Sequence, residues 1–276
     1  MMKIWDLYKS AVWVEPFLTL CIILFLAVSF ILYLLIIKSR SRNIRNERLR
    51  LEYSIQIEKL MFSIVFQDIS FSEIIEDKEY VMLSKKTFFR EVIMESVIDL
   101  HKNYQGVHAQ KLEQFHKESG LIKDSFKKLK SLKWEVKCKG ITELAEMNVN
   151  DALGKIAKIS NSRNKTLKIT AINACIRLSG TDGIVHLTKH PYPIDDWTQI
   201  NIISAFKKYD IGDTKGIELL LESQNTTVVA LGLKIIQELK LTQKIPYIVE
   251  LAAHTPNPLI KFEAQNVLQL LTVQTI

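Results

Sequence analysis

Residues 17–37 read FLTLCIILFLAVSFILYLLII, a run with no charge, glycine or proline. Beyond it the apolar positions become periodic. Ile57, Leu60, Met61, Ile64 and Val65 recur at steps of three and four, which predicts a helix over 44–66. Phe88, Phe89, Val92, Ile93, Val97 and Leu100 predict a second over 87–102. Further helices fit 107–118 and 121–130, parted by Gly120. The acidic stretch SEIIEDKEY at 72–80 reads as a solvated linker. No segment alternates apolar and polar residues for long enough to suggest a sheet, so the expected class is all-α.

As a helix, 17–37 would be roughly 30 Å long, which matches the hydrocarbon core of a bilayer. A cleavable leader has a shorter apolar core and a small-residue cleavage site, and neither is present. Residues 38–50, KSRSRNIRNERLR, hold six basic groups and one acidic one. Ahead of the run, Lys3 and Lys9 are balanced by Asp6 and Glu15. This asymmetry predicts a single span with residues 1–16 outside and 38–276 in the cytoplasm of a cell membrane. Lys38, Arg40 and Arg42 would lie at the inner interface. Trp5, Tyr8 and Trp13 would form an outer aromatic belt, or else an incidental cluster.

From about residue 131 a longer period emerges. Asn164, Leu167, Lys168 and Ala171 are echoed by Asn257, Ile260, Lys261 and Ala264 at the same spacing. Asn225, Val228 and Gly232 form a partial copy with Val229 at the basic position, and Val136, Lys137 and Gly140 an earlier one. A unit of about 31 residues requires a hidden copy near Asp195. Asn is a good N-cap, the apolar residue three positions on opens a buried stripe, and the small residue at the seventh step lets helices cross closely. Short helices at 150–160, 182–190, 213–222 and 243–254 precede the copies. Each unit is thus expected to be an antiparallel helix pair that must stack on its neighbours to bury its apolar face.

This pattern resembles the HEAT repeat, most clearly over 131–273. The resemblance implies a right-handed α-solenoid over 84–276, which would follow the single transmembrane helix through 38–83, a basic juxtamembrane stretch and linking helix. It implies a protein-binding surface and no shared catalytic residues. The arrangement is also similar to single-span HEAT-repeat proteins of bacterial envelopes, which suggests a scaffold in polysaccharide synthesis or export.

Composition narrows the reading. Nine glycines and six prolines in 276 residues are few for a turn-rich β protein. Cys21, Cys138 and Cys175 have no metal-ligand spacing and read as reduced, buried thiols. His186 and His190, four apart, would share one face of an α-helix, as a surface pair or a two-ligand metal chelate; the surface pair is preferred, since no third ligand is near. Trp134 and Trp197 read as core residues in preference to ligand-stacking ones. No phosphate-binding loop or nucleophile elbow occurs.

The net charge is +7, and most of it lies beside the span. The seven lysines of 123–139 face only Asp124 and Glu135, and fit a solvated surface, a lipid contact or an acidic protein partner. Nucleic acid is disfavoured, because basic residues do not recur in every unit. The expected function is a membrane-anchored cytoplasmic adaptor, not an enzyme, with no cofactor or metal. Its partners would be the bilayer, a protein of unknown identity and, through the apolar helix at 257–273, a partner or a second copy of the chain. The alternative is a repeat-fold enzyme or a lyase-like chaperone of cofactor attachment.

Overall fold

The computed structural model describes residues 14–209 and 214–273, and every regular element in them is helical. The chain divides into two units, 1–60 and 61–276. The described part of the first is a single helix, α1, which runs Val14–Phe66 without interruption. The sequence separated a span from a helix at 44–66. The structure joins them, because 38–43 contains no glycine or proline to break the backbone ladder. Every side chain from Phe17 to Ile37 is exposed, as are Lys38, Arg40 and Arg42. Among the described residues α1 is the one helix long and apolar enough to cross a membrane. Trp5, Tyr8 and Trp13 lie outside the described residues.

In the second unit, the expected linker at 72–80 is largely folded. Ser70 and Glu73 cap each other at the start of α2, Phe71–Ile74. The Asp77 carboxylate accepts from Glu79 N at 2.8 Å to open α3, Lys78–Ser84. Tyr80 is buried, edge-on to Phe71 and Phe89 at 6.5 and 6.4 Å between ring centres, so the acidic run carries a core residue. Then come α4 (Thr87–Asn103), α5 (Val107–Glu118), α6 (Leu121–Leu129), α7 (Trp134–Glu146) and α8 (Leu153–Ile159). The chain ends with α9 (Lys165–Ser179), α10 (Asp196–Lys208), α11 (Thr226–Glu238), α12 (Ile245–His254) and α13 (Pro258–Val273).

Two of the expected short helices are 3-10 helices, Asp182–Lys189 and Ile217–Glu222. Their buried residues explain the tighter winding. Ile184, Leu187 and His190 are three apart, as are Ile217 and Leu220, and three residues per turn puts each set on one line. At Gly183 a Cβ would sit 2.0 Å from Cys175 O, so α9 and the 182–189 stretch touch backbone to backbone.

The helices α7, α9, α10, α11 and α13 contact one another in succession. α9 is buried on two sides. Leu167, Ala171 and Cys175 join Ile141, Leu144 and Ile156 in one cluster. Ile172 and Ile176 join Leu187, Ile202, Phe206 and Val228 in the next.

Candidate interaction surface

The five successive helices begin at a regular spacing, and the last four share an Asn or Asp cap. Residues 133, 164, 195, 225 and 257 immediately precede them, at separations of 31, 31, 30 and 32. Asn164 Oδ1 accepts from Leu167 N at 2.9 Å, Asn225 Oδ1 from Thr227 N at 3.1 Å, and Asn257 Oδ1 from Leu259 N at 3.0 Å and Ile260 N at 3.4 Å. In the copy that lacked the motif, Asp195 does the same work, accepting from Thr198 N at 3.2 Å. Leu167, Val228 and Ile260 are buried three positions on. Ala171 and Ala264 are wholly buried at the seventh step, and a Cβ on Gly232 would meet Leu220 Cβ at 3.0 Å.

The basic position of the motif has no common role. Lys168 is buried, as Val229 is in the next copy, whereas Lys261 is exposed and Lys137 half-buried. The position faces the following helix, and α13 is not followed by another described one. There Lys261, Gln265 and Gln269 stand where α9 has Lys168, Ile172 and Ile176, two of them in the next cluster.

Side chains bridge neighbouring helices on one face. Lys165 pairs with Asp195 at 3.6 Å, Arg177 with Glu146 at 3.1 Å and Lys207 with Glu238 at 2.6 Å. Lys234 Nζ donates to Gln199 Oε1 at 2.9 Å. The fifth position after each cap is apolar throughout: Cys138, Ile169, Ile200, Ala230 and Phe262. None is buried; Ile200 is 54% and Phe262 62% exposed. Trp197 and Leu259 add to this row from the second position, Trp197 being 63% exposed. Both Trp134 and Trp197 were expected in the core. A residue in the first turn of a helix is covered only if a neighbour reaches past the helix end, and here both stay exposed.

The histidines form no common site. His186 and His190 are not a surface pair: His190 is buried and His186 partly so. In a 3-10 helix residues four apart point about 120° from each other, so the α-helical argument for a shared face fails. His186 Nε2 lies 2.7 Å from Ser160 Oγ, and His190 Nδ1 lies 2.7 Å from Tyr192 O. Burial lowers the pKa of both. His101 Nε2 meets Glu113 Oε1 at 2.9 Å. His116 is fully buried, and burial first, then His101 and Lys128, pushes its pKa down to about 4. Among the described residues no three His, Cys, Asp or Glu side chains are placed to hold a metal ion.

Two of the seven clustered lysines are structural. Lys128 pairs with the buried Glu143, which also accepts from Ser125 Oγ at 2.8 Å, and Lys139 pairs with Glu95 at 3.0 Å. Comparison with protein-family models, curated proteins and solved structures finds no match for the chain.

Proposed function

We propose that this protein is a membrane-anchored scaffold, with residues 17–37 as a single span and a cytoplasmic HEAT-like solenoid that binds a protein partner across its second helices. The apolar row at Cys138, Ile169, Ile200, Ala230 and Phe262 carries the reading. In that row Ile200 and Phe262 are exposed, with Trp197 and Leu259 exposed beside them, while Cys138 and Ala230 pack partly against the cores. Exposed apolar residues in a contiguous array mark interaction sites. Lys165 with Asp195, Arg177 with Glu146 and Lys207 with Glu238 pair across neighbouring helices. In this reading α13 contributes Leu259 and Phe262 to the same row.

Two experiments test the proposal. A photo-crosslinking residue at Ile200 or Phe262 should give a discrete protein adduct in intact membranes, and one at the exposed Lys158 of α8 should not. Equal adducts from all three positions, or none from the row, would refute the binding face. Protease added to intact spheroplasts should spare residues 38–276, and digestion of that region would reverse the topology.

A further inference from the structure

The loop between α6 and α7, residues 130–133, carries a feature that the scaffold reading does not use. Leu132 at its tip is 101% exposed, and Trp134, the first residue of α7, is 41% exposed. In this loop and the helices that flank it, Lys123, Lys127, Lys130 and Lys133 are exposed and Lys137 is half-buried. Lys127 makes only a local contact with Asp124 at 3.4 Å, and the other four make no ion pair among the described residues. The acidic side chains of this stretch scarcely offset them. Asp124 is held by Arg90 Nε at 2.5 Å, which leaves Glu135 as the free carboxylate. α7 opens at Trp134 with no side-chain cap from Lys133, and Glu135 is the acidic residue of its first turn.

We propose that this tip is an anionic-lipid contact site, with Leu132 and Trp134 entering the headgroup boundary and Lys123, Lys127, Lys130, Lys133 and Lys137 binding lipid phosphates around them. The shape argues for lipid over protein. Leu132 stands clear of the fold, and a bilayer accepts such a protruding side chain without a complementary pocket. Indole rings settle at the interface, and lysine stems let their charges reach phosphates while the chain lies on an apolar surface. The collar is complementary in sign to phosphatidylglycerol or phosphatidylserine surfaces and has nothing to gain from a neutral one.

The test uses the full chain in proteoliposomes, with Trp5→Phe, Trp13→Phe and Trp197→Phe leaving Trp134 as the single indole. Vesicles are either phosphatidylcholine alone or phosphatidylcholine with about one-quarter phosphatidylglycerol, each carrying a brominated acyl chain that quenches nearby indoles. Trp134 should be blue-shifted and quenched in the anionic vesicles only, and the effect should fade at about 0.5 M salt. Lys130→Glu with Lys133→Glu should abolish it, each lost lysine lowering the binding constant about fivefold. Leu132→Ser should weaken it with the charge intact. Equal quenching in both vesicles, or none in either, overturns the proposal. An unquenched Trp134 whose emission shifts on adding the soluble cell fraction also overturns it, and assigns the tip to an acidic protein. Retention of the chain after alkaline washing reports on the span separately, so the two readings fail independently.

Discussion

Replacing glycine by alanine at three positions should change stability in three different ways. In a helix the substitution gains about 1 kcal/mol, because glycine loses more backbone freedom on folding. At Gly154, in the first turn of α8, a Cβ meets nothing within 4 Å, so most of that gain should survive. Gly154→Ala should stabilise the fold by about 0.5–1 kcal/mol, or roughly 2–3 °C in Tm for a unit of this size. At Gly140, inside α7, the new Cβ would lie 2.7 Å from Lys128 Cβ and 2.8 Å from Ser125 O. The second neighbour is backbone and can yield only if α6 moves. Overpacking of this kind costs about 1–3 kcal/mol, which cancels the propensity gain and leaves a net loss of up to about 2 kcal/mol. At Gly183 the Cβ would be 2.0 Å from Cys175 O and 2.5 Å from Cys175 C. No side chain can rotate away there, and the expected loss is about 3 kcal/mol or more. Thermal unfolding in detergent, followed by far-ultraviolet circular dichroism, ranks the three. A Gly140→Ala protein as stable as Gly154→Ala would refute the close approach of α6 and α7.

Other substitutions probe the packing and titration of the same unit. Ala264→Arg buries an unpaired charge and should cost about 3 kcal/mol or more, whereas Lys261→Ala, three residues away and exposed, should stay within about 0.5 kcal/mol; equal melting temperatures would mean that α13 is rotated from the orientation described. His116 has a folded pKa near 4 against an ordinary 6.5, so the unfolded chain binds more protons between those values. Its contribution is whole above pH 6.5 and is lost as pH falls toward 4, by up to about 3 kcal/mol, and urea unfolding should show this acid loss shrinking in His116→Gln. Cys175 is fully buried, and burial pushes its thiol up to about 12, so maleimide should leave it unmodified in the folded protein and label it once denatured.

Much of the helical frame was legible because its signals are local. An Asn cap needs only its own side chain and the next three amides, and Asn164, Asn225 and Asn257 all accept those bonds. The hidden helix at 196–208 was located by spacing alone, and Asp195 proved to be a cap of another residue type. What failed depended on neighbours distant in the chain. Whether 182–189 winds at three or 3.6 residues per turn is set by the surface it packs on, and that choice separated His186 from His190. Trp134 and Trp197 were misread because burial at a helix start depends on which element passes the end. Likewise, Lys128 and Lys139 differ from the other clustered lysines only through Glu143 and Glu95, neither of which is adjacent in sequence.

The two-sided burial of α9 bears on how the polypeptide can be divided. A fragment ending at Gly180 would keep α9 but leave Ile172 and Ile176 in water. One starting at Thr181 would strip Ile184, Leu187 and Ile202 of the helix they lean on. A cut ahead of Lys165 merely transfers the wound to Ile141, Leu144 and Ile156. Neither cut beside α9 leaves both fragments with their apolar faces covered, so the split halves should need each other to stay soluble.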